Sequence, residues 1–320
     1  MQDTWKILDH DTILDTIEST IGEKLTSLLL QRNSYINRVY ELEKADTKAR
    51  LIVKFYRPGR WTKEMILEEH QFLDKLAEKE LPVIPPLKYS NNSLFFLKNI
   101  PFAIFPKKGG RAFDEFDKDS WQEIGRLLAR LHIVGETIKD HKRIIWRPDI
   151  ATRQHLDLLL NKGHVPVEFK DSLKKIVDLF INKATPLFEK EKMFLIHGDC
   201  HKGNLIHRPG EGVFIVDFDD ISVGPAVQDL WMLLPGSPEE SELELGWFLE
   251  GYRTFGEFDQ GSLSLVPALK IMRIIHYAGW CAMQSNDPDF KHHFPEWGTT
   301  KYWNGLIRDV QEIVYSSVAP

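Results

Sequence analysis

Between Ile196 and Asp220 the chain reads IHGDCHKGNLIHRPGEGVFIVDFDD, and no other stretch limits the fold so strongly. The apolar run Phe194–His197 leads, as a short strand, into a polar loop. Leu205–His207 and Val213–Val216 then read as a hairpin around the RPGEG turn. Loop, strand, turn and strand in this order carry Asp199, Asn204 and Asp217 toward one point. Helical patterns lie on both sides, so the hairpin belongs inside a mostly helical region.

The first third of the chain is different. Ser34–Leu42 and Arg50–Tyr56 are β-branched and aromatic and flank a polar EKADTKA turn, a hairpin pattern. Thr62–Glu80 reads as a helix, with Met65, Ile66, Phe72, Leu73 and Leu76 on one face and Pro82 after its end. The runs SLFFL and PFAIF follow as two further strands. Strand–strand–helix–strand–strand predicts a small antiparallel sheet with one main helix packed on it. At Phe105–Arg111 (FPKKGGR) the composition shifts, and beyond it Trp121–Leu131, Asp171–Phe188 and Leu269–Met283 carry helical apolar stripes. The expected fold is α+β and bilobal: an N-terminal lobe over 1–105, a linker over 106–111 and a larger, mostly helical lobe over 112–320.

His197-Gly198-Asp199 followed by Asn204 has the H-x-D-x-x-x-x-N spacing of a kinase catalytic loop, with Gly for the usual Arg. Asp217-Phe218-Asp219 stands in the place of the metal-binding Asp-Phe-Gly. Phosphoryl transfer needs this grouping. A carboxylate, Asp199, holds the acceptor hydroxyl and takes its proton. Asn204 and Asp217 supply oxygens for the Mg²⁺ that accompanies ATP. Either motif alone would be an ordinary pair of polar loop ends; their order, spacing and strand context together favour the kinase reading. His197, Cys200, His201 and His207 are too irregularly spaced for zinc, and Cys200 has no separate base to make it a nucleophile. Asp229 reads equally as a helix cap or as a brace for the loop, and His132 as a hydrogen-bonded core residue.

An ATP-anchoring pair is readable upstream. Lys54 lies in the strand LIVKFY, and at about 100° per residue Glu69 falls near the centre of the apolar arc of the following helix. Glu68 lies a quarter-turn aside and is the reserve. A carboxylate in a buried stripe needs a cation, since unpaired burial is costly, so Lys54 pairs with Glu69. No glycine-rich phosphate loop precedes Lys54. Gln31–Tyr35 would cover the phosphates instead, with Ser34 donating its hydroxyl or backbone N–H to a phosphate oxygen.

With these residues placed, the chain resembles the aminoglycoside phosphotransferase/choline kinase branch of the protein-kinase-like fold, whose signature is HGDxHxGN followed by a strand ending in Asp. NSYINRVY, VKFYRPGRW, ILEEHQF, FPKKGGR and VDFDD…GPAVQDLWMLL extend the likeness over nearly the whole chain, toward bacterial stress-protective Ser/Thr protein kinases within that branch. The resemblance implies Asp199 and Asp217 as active-site residues, Asn204 and Asp217 as Mg²⁺ ligands and Ser34 as an ATP contact. It also implies a cytoplasmic monomer that autophosphorylates. Phe218 stands where Leu was expected, and Lys202 and Ile206 vary within the signature without touching a ligand position.

Composition narrows the partners. There are 41 Lys and Arg against 47 Asp and Glu, a net charge of −6, and no basic run, which argues against nucleic acid. Two cysteines exclude a disulfide framework and favour a reducing compartment. No apolar run approaches the ~20 residues of a membrane span, and no secretory signal is readable. Three functions follow: a Ser/Thr protein kinase with an unknown protein substrate, a small-molecule kinase of the aminoglycoside, choline or homoserine type, and a nucleotide-binding pseudokinase. The presence of Lys54, Asp199, Asn204 and Asp217 disfavours the last.

Overall fold

Asp9 accepts a hydrogen bond from the Thr12 N–H and starts a helix, α1 (His10–Ile21), in the computed structural model, which describes residues 4–317. Its i, i+4 residues Ile13, Ile17 and Ile21 are buried against Leu42, Val53, Phe55 and Phe102. Those four come from an antiparallel sheet of β1 (Leu25–Arg32), β2 (Arg38–Lys44), β3 (Arg50–Phe55), β4 (Phe95–Leu97) and β5 (Ile100–Pro106), in the order β1-β2-β3-β5-β4. The sheet therefore has five strands and an additional helix, where four strands and one helix were expected. The expected strand Ser34–Leu42 starts only at Arg38. Asn37, just before it, lies in a bend, and its side-chain amide reaches across the chain, donating to Asp219 Oδ2 (3.1 Å) and accepting from the Arg57 N–H (3.1 Å).

Helix α2 (Lys63–Glu78) is capped by Thr62, whose hydroxyl accepts from the Met65 N–H. Its Phe72, Leu73 and Leu76 do not enter the sheet core; they join the larger core of the helical region, where the Phe72 and Phe218 rings meet edge to face at 5.9 Å. Helix α2 thus belongs energetically to both halves. Residues 107–110 carry no helix or strand, and β6 (Arg111–Ala112) already pairs with the second half.

That half is built on α3 (Lys118–Thr137), α4 (Arg153–Asn161), α5 (Val167–Ala184), the single turn α6 (Gln228–Trp231), α7 (Glu242–Tyr252), α8 (Val266–Gln284), the short α9 (Phe290–His293) and α10 (Thr300–Ser316). Helix α3 runs through Gly135 to Thr137. This glycine is needed for close approach, since a Cβ on it would stand 1.9 Å from the Leu195 carbonyl oxygen. Leu195 lies in β7 (Phe194–Ile196), which pairs with β10 (Ser222–Gly224). β8 (Leu205–Arg208) and β9 (Gly212–Ile215) form the expected hairpin, extended by β6. No helix among the described residues is long and apolar enough to cross a membrane.

Candidate active site

The loop after β7 is held from below by one buried carboxylate. Asp229, on α6, accepts the backbone N–H of His197 (2.8 Å) and of Gly198 (2.7 Å), and His132 Nε2 lies 3.2 Å from the same group. Asp229 is therefore the brace and not the cap. His197 donates through Nε2 to the Val216 carbonyl (3.0 Å), and its ring packs on Phe218 at 4.7 Å. This one histidine fixes the loop carrying Asp199 against the strand end carrying Asp217. Gly198 has φ +82, and a Cβ there would meet the Asp220 carbonyl oxygen at 2.4 Å. Arginine, usual at this place in the motif, has no room here.

Asp199 projects from this loop toward α8, where Arg273 Nη1 donates to its Oδ1 at 2.7 Å; His201 Nε2 stands 3.5 Å from Oδ2. Burial pushes the Asp199 carboxyl up, but the His201 hydrogen bond and the Arg273 charge outweigh it and hold the group well below the usual carboxylate range. Asn204 donates its amide N–H to the Asp199 backbone carbonyl (2.9 Å), which leaves its side-chain oxygen uncommitted. Asp217 follows β9 in the left-handed region (φ 62, ψ 67), a conformation costly for most residues with a Cβ but one that aspartate visits. Its side chain is more than half exposed, with Oδ1 3.6 Å from Lys54 Nζ.

Lys54 and Glu69 meet as the helical-face argument required, at 3.7 Å, while Glu68 turns away to His141 and the Lys142 N–H. Glu69 also accepts from the Tyr56 hydroxyl (3.2 Å) and lies 3.5 Å from Arg143. Burial pushes its carboxyl up to about 7 despite the Lys54 charge. The nearest anion to Lys54 is neither Glu69 nor Asp217 but Asp219 Oδ1, at 3.0 Å. Asp219 is buried and additionally ion-paired to Arg60, whose other nitrogen reaches Asp220 at 2.6 Å. Burial opposes the Asp219 charge; Lys54 and Arg60 overcome it and keep the carboxyl ionised. Asp219, Arg60 and Arg273 are site residues that sequence reasoning missed. Arg60 lies in VKFYRPGRW and Asp219 in VDFDD, but neither stretch shows which ends meet.

Two adjoining cavities share Asn33, Ser34, Asn37 and Asp217. One, of about 290 Å³, is walled by Val39, Ile52, Leu73, Ile84 and Ile215 and ends at Lys54 and Asp217. Flat apolar walls with a cation and an anion at one end suit a base and its phosphates. The other, of about 400 Å³, holds Asp199, Arg273 and Asp220 among Trp61, Trp146, Tyr277 and Trp280. Ser34 sits on the rim common to both, in the loop between β1 and β2. Among the described residues no three His, Cys, Asp or Glu side chains form a metal cage.

Such a two-lobed fold, with a carboxylate loop and a carboxylate strand end lining one cavity, is that of a phosphotransferase, and the chain belongs to the phosphotransferase enzyme family, whose pattern matches residues 29–264. Over 305 residues it is 37% identical to stress response kinase A of Escherichia coli, spanning 94% of this chain and 90% of that protein. It is 36% identical over the same length to the serine/threonine protein kinase RdoA of Salmonella typhimurium. Among solved structures it superposes on an amicoumacin kinase in complex with AMP-PNP and Ca²⁺, with TM-score 0.77 at 19% identity, covering 100% of this chain and 98% of the other. A spectinomycin phosphotransferase in complex with ADP gives TM-score 0.66 at 15% identity, covering 96% and 98%. The chain is thus an ATP-using kinase of α+β, bilobal architecture.

Proposed function

We propose that this kinase transfers the γ-phosphoryl group of Mg²⁺-ATP to serine and threonine hydroxyls of a protein acceptor, as a cytoplasmic, monomeric, stress-protective enzyme. What carries the acceptor class is the likeness, over 94% of the chain, to relatives named as stress response and serine/threonine protein kinases. The nucleotide lobe is 1–105, 106–111 is the hinge and 112–320 the catalytic lobe. ATP lies in the smaller cavity with its phosphates toward Lys54 and under Ser34, and Glu69 keeps Lys54 in place. Asp199 orients the acceptor hydroxyl in the larger cavity and receives its proton as the oxygen attacks phosphorus.

Asn204 and Asp217 fit a Mg²⁺ site: both offer hard oxygens, and this ion takes few protein ligands beside phosphate oxygens and water. When bound, Mg²⁺ supplies charge neutralisation on the β- and γ-phosphates.

One observation favours a second reading. The acceptor cavity is small and aromatic-walled, a shape that suits a small molecule, and the solved neighbours include kinases of amicoumacin and spectinomycin. Incubating the purified protein with labelled ATP and either dephosphorylated protein acceptors or a panel of amino alcohols, aminoglycosides and sugars separates the two. Label entering protein only supports the protein kinase; saturable transfer to a small alcohol, with none to protein, refutes it.

A further inference from the structure

Asp199 would be free to swing if only its own loop held it, because the terminal carboxylate torsion of an aspartate is broad and weakly restrained. The structure instead brings a second element to it. Arg273, on α8, donates Nη1–H to Asp199 Oδ1 at 2.7 Å, while Oδ2 keeps only the longer 3.5 Å approach of His201 Nε2. His201 is itself tied down, its Nδ1 accepting from the Gly203 N–H at 3.0 Å. One carboxylate oxygen therefore accepts a short hydrogen bond from an arginine and the other is lightly held, at the wall of the cavity that the acceptor must enter.

We propose that Arg273 is a positioning residue for phosphoryl transfer: it anchors Oδ1 of Asp199 so that Oδ2 faces the acceptor hydroxyl. This rests on the reading of Asp199 as the acceptor-facing carboxylate. In the step itself the acceptor O–H bond breaks, the acceptor oxygen bonds to phosphorus, the bond from phosphorus to the leaving ADP oxygen breaks, and the proton passes to Oδ2. Arg273 takes no part in these exchanges; it sets the angle from which Oδ2 works.

Three observations favour this over a merely structural ion pair. Both partners are partly exposed, 38% for the Arg273 side chain and 25% for Asp199, and ion pairs at such exposure add little to stability. Arg273 has no other hydrogen-bond partner among the described residues, so Asp199 is the one group it holds. Its remaining donors stay available in the acceptor cavity, which it lines together with Asp199 and Tyr277. An arginine suits the task better than a lysine because its planar fork fixes direction as well as charge.

The test is steady-state kinetics on the full chain, using the best wild-type acceptor from the panel above, or ATP hydrolysis to water if none is accepted. Arg273→Ala should lower kcat on the order of 10- to 100-fold, the cost of misplacing a reacting group, with KM for ATP and the affinity for a fluorescent ATP analogue unchanged within about twofold. Arg273→Lys should fall between the two, and millimolar guanidinium should restore part of the lost kcat to Arg273→Ala. Wild-type kcat in both variants would overturn the proposal, as would a loss confined to KM for ATP. If Arg273→Ala does not fold, Arg273→Lys and Arg273→Gln carry the same comparison, and wild-type kcat in both of these overturns it. Failure of the underlying reading looks different: Asp199→Asn would then turn over like wild type, whatever Arg273 does.

Discussion

Asp229 Oδ1 accepts the backbone N–H of Gly198 at 2.7 Å, and the carboxylate that does so is fully buried on the far side of the loop that carries Asp199. Its second oxygen takes the His197 N–H and lies beside His132. Asp229→Ala strands two backbone donors, the buried one of His197 and the half-buried one of Gly198, at up to about 1–3 kcal/mol each. We expect a fall in the urea midpoint together with a large loss of kcat, since the loop is no longer held at the distance Asp199 needs. Asp229→Asn, which keeps one acceptor oxygen, should retain more stability than the alanine variant. Denaturation curves and turnover on the same preparations check both, and an Asp229→Ala protein with normal turnover would show that the brace is dispensable.

Asp199 and Asp217 should fail in different ways. Asp199→Asn removes the carboxylate proposed to take the acceptor proton and does not touch the cavity proposed for the nucleotide, so turnover should be lost while binding of a fluorescent ATP analogue persists. Asp217→Ala removes a carboxylate beside Lys54 at the end of the nucleotide cavity. Here turnover is lost and the Mg²⁺-dependent part of nucleotide affinity weakens as well. Titrating the analogue with and without Mg²⁺ into both variants reads the split directly.

Asp219 is the residue with most at stake for folding. It is buried among Lys54, Arg60 and Asn37, and the two cations are themselves largely enclosed. Removing one member of a buried ion cluster leaves the opposite charges uncompensated, at about 3–5 kcal/mol. Asp219→Ala should therefore lose stability of that order in urea denaturation, whereas Asp220→Ala, on the more exposed side of Arg60, should lose much less. Equal effects would mean that Arg60 does not distinguish the two carboxylates.

What the sequence made legible follows from periodicity. A strand repeats every two residues and a helix every 3.6, and those two rules were enough to bring Lys54 and Glu69 together across α2 and β3. The signature loop and hairpin were legible because their spacing is local. Asp219 was not, since in DFD it looks like one more polar turn residue and its partners come from 159 and 182 positions away. Arg273 lies on a stripe that reads simply as a buried helix, and only the packing of α8 against the loop gives it a partner. Helix α1 was missed although Asp9 caps it and Ile13, Ile17 and Ile21 repeat at helical spacing. Strand β1, with LTSLLLQR, lacks the alternation of a half-buried strand, which is consistent with its mostly exposed second half.

Glu69 makes stability depend on pH in a definite direction. Burial raises its carboxyl from an ordinary 4.5 to about 7 in the fold. A group whose pKa is raised on folding favours the folded state most below its unfolded value and loses that contribution as pH rises through the folded one. The wild type should therefore lose melting temperature relative to Glu69→Gln as pH is taken from 5.5 to about 8, since glutamine cannot ionise. A constant difference between the two proteins over that range would show that the Lys54 charge cancels the burial. Turnover by Glu69→Gln should be reduced, because Lys54 loses one of the carboxylates that hold it at the end of the cavity.

The segment after Asp217 bears on control. Kinases switched by activation-loop phosphorylation carry a long mobile stretch there, ordered by a new arginine–phosphate contact. Here every part of the interval is already committed. Phe218 is buried against His197 and Phe72, Asp219 and Asp220 bind Arg60, Ser222–Gly224 pairs with β7 as β10, and α6 begins at Gln228, whose amide donates to the Gly198 carbonyl. Nothing in this interval is left to fold over the cleft and be released. The enzyme should be active as synthesised, with its abundance setting the output and any autophosphorylation incidental to turnover. Treating purified protein with a phosphatase, removing the phosphatase and measuring initial rates tests this. An unchanged rate is expected. A large loss, restored by preincubation with Mg²⁺-ATP, would reveal a phosphorylation switch elsewhere in the chain.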